Sequence, residues 1–250
     1  MTAIPSASAG QRYLTGVIGL LQDLSAEQWT AIRMAAERVA ETVAGGGLVH
    51  AFGTGHSHML AEELFYRAGG LAAVNPILVE SLMLHGGAEN STRLERQSGL
   101  APSIFAGLQI REGDTLIVAS NSGGNAVCDE LTQLFRDAGA HIVAILSRRH
   151  AHQSSLEGMG PRLIDLADVV IDNHGAVGDA SVDIDGLAPR VGPTSTVIGT
   201  AIVNAIVSEA VEILIGRENV VEVFSSSNVA GGDAANAGLV ARYRKVVRAL

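Results

Sequence analysis

The chain has few residues of several types that define common protein classes. Its 250 residues contain one cysteine, and 17 lysines and arginines stand against 26 acidic residues, a formal net charge of −9. The single cysteine, Cys128, excludes an intramolecular disulfide and a Cys-x-x-Cys metal site, and it suits a reducing compartment. The shortage of basic residues argues against a nucleic-acid partner, because neutralising a phosphate backbone requires a face of lysine and arginine.

Signals for secretion or membrane insertion are also missing. The N-terminus lacks a basic stretch followed by an apolar run and a small-residue cleavage site, so we expect no signal peptide and a cytoplasmic location. The most apolar segment, 197–215, contains Asn204, Glu209 and Glu212, which favours a buried helix over a membrane span. Hydrophobic residues make up 47% of the chain, enough for an extensive core. We therefore expect a globular protein without a membrane partner.

The periodicity of apolar residues predicts the order of elements. Short apolar runs alternate with Gly- and Ser-rich turns and helical stretches, which is the pattern of β–α units in a parallel sheet. The predicted strands are 48–52, 74–79, 115–119, 141–146 and 168–171. The predicted helices are two over 13–44, separated near 23–25, then 58–68, 91–108, 126–138 and a long helix ending at 216, capped by 193–195. Pro102 is expected to interrupt or kink the stretch 91–108.

The remaining stretches set the expected domain boundaries. Residues 1–10 are small and polar, which predicts a flexible leader. The stretches 148–161 and 175–193 are predicted to be loops, the first with a little helix. We expect one domain over 11–218 and a C-terminal tail, 219–250, that packs on the domain or on a partner subunit; a flexible terminus is the alternative.

Two predicted loops follow strands at the sheet edge where α/β proteins bind ligands. In the first loop, Gly53 and Gly55 could let the backbone approach a ligand closely, and Ser57 adds a hydroxyl. A dinucleotide fingerprint would place a third glycine where His58 stands, so we expect no nicotinamide cofactor.

The second loop, 120–125, reads Ser-Asn-Ser-Gly-Gly-Asn. Ser120, Ser122 and Asn125 supply side-chain donors, while Gly123 and Gly124 leave backbone amides uncovered at a predicted helix start. This set of donors suits the three oxygens of a phosphate group. The alternative is a tight strand-to-helix turn with no ligand.

Together the two loops resemble those of the sugar isomerase (SIS) domain family, and the resemblance covers roughly residues 30–218, including 191–196. It is greatest to a branch of phosphosugar-binding proteins. It implies an α/β fold, a three-layer αβα sandwich with a five-stranded, parallel, doubly wound sheet and N-terminal helices, commonly dimeric with sites near the subunit interface. The resemblance implies that the phosphate and sugar contact Gly53, Gly55, Ser57, Ser120, Asn121, Ser122, Gly123, Gly124, Asn125, Thr194 and Ser195.

Two better-known branches of the family match only in part. Phosphoheptose isomerases share the pattern at 53–58 but carry metal-binding His and Glu where this chain has Glu63 and Arg67. N-acetylmuramic acid 6-phosphate etherases share a segment similar to Gly87-Ala88-Glu89-Asn90. The loop histidines lack the spacing of a zinc site. We therefore expect no metal and no other cofactor.

The candidate acids and bases lie near the first loop. Isomerisation and elimination both begin with removal of a proton next to a carbonyl, which requires a carboxylate or imidazole facing the sugar. The candidates are Glu62, Glu63, His56, His58 and Glu95, the last because in the family its helix approaches the site. The alternative for the glutamates is a solvated or interhelical charge.

These observations predict a phosphosugar-binding enzyme, an isomerase that acts on a phosphorylated sugar or aminosugar. One alternative is a lyase or dehydratase acting on an N-acetylaminosugar 6-phosphate, as the etherase-like segment suggests. Another is a non-catalytic phosphosugar sensor. The expected partners are a small-molecule sugar phosphate and a second copy of the chain in a homodimer.

Overall fold

A computed structural model describes residues 7–153 and 161–250. Within these residues lies a five-stranded sheet in the order β2-β1-β3-β4-β5, with every neighbouring pair parallel. Its strands are β1 (Val49–Gly53), β2 (Val74–Pro76), β3 (Thr115–Ala119), β4 (His141–Leu146) and β5 (Val169–Asp172). The chain moves outward in one direction from β1 to β2 and in the other from β3 to β5, so the sheet is doubly wound. The predicted α/β fold class is confirmed.

Helices cover both faces of this sheet, and a two-stranded antiparallel hairpin precedes the longest helix. The hairpin strands are β6 (Ala180–Ile184) and β7 (Leu187–Pro193). The helices are α1 (Ala9–Glu27), α2 (Trp29–Ala44), α3 (His58–Leu64), α4 (Ala88–Leu94), α5 (Ala101–Phe105), α6 (Ala126–Asp137), α7 (Arg148–Gln153), α8 (Leu163–Leu166), α9 (Ser195–Gly216) and α10 (Gly232–Tyr243).

The core has two layers, one on each face of the sheet. Val49 and Ala51 of β1 pack in one cluster with residues of α2, α3 and α9, whereas Phe52 packs in a second cluster with α5 and α6. Successive side chains of a strand point to opposite faces, so each strand contributes to both clusters. Helix α9 is long and apolar enough to cross a membrane, but Ile202 and Ile206 are fully buried against the rest of the domain. It is a core helix of a globular domain.

The predicted elements agree with the structure where apolar patterning is strong. Strands β3 and β4 have the predicted bounds. The helical stretch predicted over 91–108 is interrupted, but the break lies before Pro102: α4 and α5 are separate helices, with Gly99 at φ +91° between them and Pro102 in the first turn of α5. The break between α1 and α2 lies at Gln28, later than predicted, and the Gln28 side chain accepts from the Asp172 N–H of β5.

The two ends of the predicted domain also differ from expectation. Helix α1 begins at Ala9, inside the predicted leader, because Ser8 and Gln11 form a capping box. Residues 1–6 and the 154–160 part of the predicted 148–161 loop lie outside the described residues. The stretch 175–193, predicted as a loop, contains the hairpin, and the Tyr13 hydroxyl of α1 donates to the Pro193 carbonyl.

The C-terminal segment packs on the amino end of the sheet. Val223 forms a bridge with Leu71, and Val247 is fully buried in a cluster with Leu48 and Ala73. This places the segment beyond 219 at the end of the sheet opposite the loops that follow β1 and β3. Two of the larger cavities, of about 510 and 520 Å³, lie beside this segment and contain no residue of those two loops.

Candidate functional site

The two predicted loops lie side by side at the carboxyl ends of β1 and β3. These strands are parallel neighbours with Gly53 opposite Ala119, so both loops leave the same edge of the sheet. The connections from β1 and from β3 run to opposite sides of the sheet, which makes this position the topological switch point. Ligands of open α/β sheets bind at such a point.

The backbone of the 120–125 loop folds onto Ser120. The Gly123 N–H donates to the Ser120 carbonyl at 2.9 Å, and the Gly124 N–H donates to Ser120 Oγ at 3.0 Å. Because Ser120 Oγ accepts this bond, its own hydrogen remains available for another acceptor. Both glycines have positive φ, +82° and +121°, in the region that disfavours other residues.

Asn125 uses its side chain inside the protein. Its Oδ1 accepts from the Cys128 N–H at 3.0 Å and so caps α6, and its Nδ2 donates to Thr54 Oγ1 at 2.8 Å. The Thr54 hydroxyl in turn donates to Glu95 Oε2 at 2.7 Å. Asn125 therefore joins the two loops and caps a helix, and its side chain is engaged within the protein in this structure.

The other polar side chains of the second loop differ in what they bond. Asn121 Oδ1 accepts from Asn173 Nδ2 at 2.9 Å, which holds its amide against the end of β5. The Ser122 hydroxyl reaches the Gly124 carbonyl only at 3.4 Å, a weak contact, and the side chain is half-buried. None of the hydrogen bonds within the described residues involves the backbone N–H of Asn121 or Ser122. These donors remain free to meet a ligand.

The first loop turns tightly before α3. A side chain at Gly53 would meet the Ser57 backbone, so only glycine fits there. Gly55 has φ +55°, and a Cβ built on it would lie 4.0 Å from Glu95 Oε2, which leaves open surface beside that carboxylate. Ser57 reaches a narrow cleft between the two loops and α9. The polar residues that line this cleft are Ser57, Ser120, Asn121, Asn173, Ser195 and Thr196.

The start of α9 is already occupied by a carboxylate of the same chain. Asp179 accepts from the backbone N–H groups of Thr194 and Ser195 at 3.0 and 2.8 Å and from the Ser195 hydroxyl at 2.6 Å. The predicted ligand donors of Thr194 and Ser195 are therefore engaged by Asp179 in this structure. Sequence reasoning missed this cap because Asp179 lies in a polar stretch that showed no regular pattern.

The five candidate acids and bases occupy different surroundings. Glu95 stands between the two loops, as its contact with Thr54 shows. His58 is buried, its Nδ1 contacts the Gly55 carbonyl, and its Nε2 lies 3.6 Å from Glu62 Oε2, whose side chain is 48% exposed. His56 is exposed at the rim.

Glu63 faces away from the loops. It contacts Arg67 one turn along α3 and accepts from Asn204 Nδ2 of α9 at 2.6 Å. These partners give Glu63 the interhelical role that the sequence left open. Across 7–153 and 161–250, no group of three His, Cys, Asp or Glu side chains is arranged to hold a metal ion.

One ionisable group beneath the second loop has a shifted pKa. Burial raises the pKa of Asp129, in the first turn of α6, to about 7, although the Leu163 N–H and Arg162 act in the opposite direction. A Cβ on Gly124 would meet the Asp129 carboxylate, so this acid lies directly under the loop. Nothing in the pattern of α6 singled out Asp129 as different from a surface charge.

Comparisons with known proteins concern the family and the fold of this chain. The SIS domain profile matches residues 12–147. A UPF0309 protein of Listeria monocytogenes is 41% identical over 93% of this chain and 95% of its own length, and one of Halalkalibacterium halodurans is 38% identical over 93% and 94%.

Solved structures show the same fold at low identity. A phosphoheptose isomerase from Francisella tularensis has a TM-score of 0.52 at 17% identity and covers 80% of this chain and 95% of its own. The phosphoheptose isomerase of Neisseria gonorrhoeae has a TM-score of 0.50 at 18% identity, with coverage of 79% and 96%.

Proposed function

Because the chain belongs to the SIS domain family, we propose that it binds a phosphorylated sugar between its first and second loops and interconverts its aldose and ketose forms. The observation that carries this proposal is the convergence of Ser57, Ser120 and Asn121 on one cleft at the switch point of the sheet. Uncharged hydroxyl and amide donors at the start of a helix suit a phosphate group.

The phosphate would lie against the second loop. The Ser120 hydroxyl hydrogen, the Ser122 hydroxyl and the N–H groups of Asn121 and Ser122 supply donors there, and Ser57 adds one from the first loop. Helix α6, which begins at Ala126, contributes the positive end of its dipole. The cleft is narrow, with space for about one water in its interior, so the phosphate would bind at its mouth and the sugar would extend over the first loop.

Glu95 is the base in this proposal. The open surface beside Gly55 would let a sugar carbon approach Glu95 Oε2, and the Thr54 hydroxyl holds the carboxylate toward the loops. A base must come within hydrogen-bond reach of the proton that it removes. His58 and Glu62, beside the same loop, would carry protons between the sugar oxygens and solvent. The neighbours named phosphoheptose isomerases carry out a reaction of this class.

Deuterium exchange tests the reaction. The protein is incubated with hexose, aminosugar and heptose phosphates in deuterated water, and the products are analysed by NMR. We expect deuterium at the carbon next to the carbonyl together with an aldose–ketose product. Glu95→Gln should retain binding and lose exchange, while Glu89→Gln, an exposed carboxylate of α4, should leave exchange unchanged.

The same experiment separates the alternatives. Loss of a hydroxyl or of lactate, with exchange abolished in Glu89→Gln, would identify a lyase instead. Selective binding of a phosphorylated sugar without exchange for any substrate would identify a sensor.

A second measurement tests the phosphate loop. Ser122→Ala should weaken the binding of a sugar phosphate by about tenfold to a hundredfold, because it removes one hydrogen bond to a charged group. The affinity for the unphosphorylated sugar should not change. Equal losses for both ligands would contradict the assignment of the phosphate to this loop.

The proposal includes a cytoplasmic homodimer. Helix α1 exposes a row of apolar side chains, Leu14, Ile18 and Leu21, on the face turned away from the core. Such a row on a surface helix suits a subunit contact. Light scattering after size exclusion would give the mass of a dimer, and Ile18→Glu should shift it to that of a monomer.

A further inference from the structure

Arg162 contacts the second loop from the side opposite the cleft. It stands immediately before α8, and its Nη2 donates to the carbonyls of Ser122 and Gly123 at 3.1 and 3.2 Å. Its Nη1 donates to the Ala151 carbonyl of α7 at 2.9 Å. One guanidinium thus connects the loop, the start of α8 and α7.

These bonds act on the same two peptide units that Ser120 holds from the other side. The Ser122 carbonyl and the Gly123 N–H belong to one planar unit, and the Gly123 carbonyl and the Gly124 N–H belong to the next. Arg162 binds both carbonyls, while Ser120 accepts from both N–H groups. Each peptide unit is therefore fixed at both ends.

Glycine residues need such restraint more than others do. Glycine has the widest backbone conformational freedom of all residues in the unfolded chain, and both Gly123 and Gly124 are held at positive φ in the fold. If the carbonyls turned, the Gly124 N–H would leave Ser120 Oγ, and the Ser120 hydroxyl could then point elsewhere. The orientation of the phosphate donors thus depends on the carbonyl contacts.

We propose that Arg162 is a positioning residue for phosphate recognition: its Nη2 holds the 122–123 and 123–124 peptide units while its Nη1 is anchored on Ala151, so that Ser120 faces the cleft. This inference rests on the proposed function of the loop. Arg162 acts from behind the loop, and its contacts are to carbonyls, so its role differs from that of an arginine that pairs with the phosphate itself.

Lysine and methionine substitutions separate geometry from charge. Arg162→Lys keeps the positive charge but replaces a rigid fork by a single ammonium group that cannot span both carbonyls and Ala151 in the same way. Arg162→Met removes the charge and keeps much of the side-chain length. Arg149→Met, on the exposed surface of α7, removes a nearby positive charge without touching the loop and serves as the matched control.

The first readout is amide hydrogen exchange of the ligand-free proteins, measured by mass spectrometry after thermal melting has shown that each is folded. We expect faster exchange in peptides covering 120–125 for both Arg162 variants and unchanged exchange for Arg149→Met. Unchanged exchange in both Arg162 variants would overturn the proposal. If Arg162→Met does not fold, Arg162→Lys alone decides the outcome.

The second readout is the affinity for glucose 6-phosphate, fructose 6-phosphate and inorganic phosphate, with glucose as the unphosphorylated reference. We expect both Arg162 variants to lose about tenfold in affinity for the phosphorylated probes, the equivalent of one hydrogen bond to a charged group. Affinity restored by lysine to within about twofold of wild type would show that charge alone matters and would overturn the positioning role.

The two proposals fail in different ways. If the wild-type protein binds none of the phosphorylated probes better than glucose, the proposed function of the loop fails, and the positioning role fails with it. If the wild type is selective and Ser122→Ala loses affinity while both Arg162 variants do not, only the role of Arg162 is refuted.

Discussion

The link between the two loops through Asn125 can be separated into its parts by two substitutions. Asn125→Ser keeps an oxygen that can accept from the Cys128 N–H and so cap α6, but its side chain is too short to reach Thr54. Asn125→Ala removes both the cap and the link. The difference between the two variants therefore isolates the cap, and the difference between Asn125→Ser and wild type isolates the link.

The structure allows a magnitude for each part. A buried hydrogen bond such as that from Asn125 to Thr54 contributes about 1 kcal/mol net. An N-cap side chain contributes about 1 kcal/mol. We expect the free energy of unfolding to fall by about 1 kcal/mol in Asn125→Ser and by about 2 kcal/mol in Asn125→Ala. For a chain of this length the melting temperature should fall by about 3 and 6 °C.

Urea unfolding followed by circular dichroism, together with deuterium exchange of the substrate, is the assay. The proposed position of Glu95 depends on its hydrogen bond from Thr54. Asn125→Ser should therefore also slow deuterium exchange into the substrate, under conditions in which the variant is still fully folded. Asn228→Ser, an exposed substitution of the same kind, is the control. Wild-type stability and exchange in Asn125→Ser would refute the view that this side chain couples the loops.

Three further predictions concern stability. Gly123→Ala should lower the free energy of unfolding by about 2 to 4 kcal/mol, because the φ of +82° at this position disfavours alanine and the added Cβ would meet Ala151. Wild-type stability in urea unfolding would contradict this. Because the pKa of Asp129 is raised to about 7, the native state keeps a proton that the unfolded state loses between pH 4 and 7. The free energy of unfolding should therefore fall over that range, by about 1 to 2 kcal/mol after solvent screening. Asp129→Asn should abolish this fall in unfolding experiments repeated across the same pH range. Burial alone would raise the pKa of Asp114, but hydrogen bonds from His50 and two backbone N–H groups lower it. The ionised carboxylate should therefore add to the free energy of unfolding above pH 4, and this contribution should be lost below that pH. Asp114→Asn should lower the free energy of unfolding by about 1 to 3 kcal/mol at pH 7, and the difference from wild type should shrink in acid.

Much of the sheet could be predicted because its strands are continuous apolar runs. Strands 115–119 and 141–146 are buried on both faces, and a parallel strand of this kind has no polar alternation to confuse its limits. The hairpin at 180–193 escaped prediction because its second strand is mostly exposed and carries Pro189 and Arg190. Pairing with β6 and the contact of Tyr13 with Pro193 hold this strand in place.

The two loops of the candidate site could be located from the sequence, but the contacts that hold them could not. Ser and Gly residues that follow a strand indicate the 120–125 loop, because these residues are neighbours in the sequence. The partners of Asn125 and Ser195 are Thr54 and Asp179, which lie far away or in an irregular stretch, and only the fold brings them together. Arg162 likewise reaches the loop from 39 residues beyond Gly123 in the chain, without any motif of its own.

The lining of the cleft determines how a ligand would arrive and stay. Among the residues that the structure describes, none that lines the cleft carries a charge, whereas the whole chain has a net charge of −9. The net negative charge of the chain would therefore repel a dianionic sugar phosphate at long range. Binding would come only after contact, through hydrogen-bond donors whose short-range interactions are barely screened by ions in solution. Added salt should speed the encounter while leaving the dissociation rate almost unchanged, the reverse of what a lysine- or arginine-lined pocket shows.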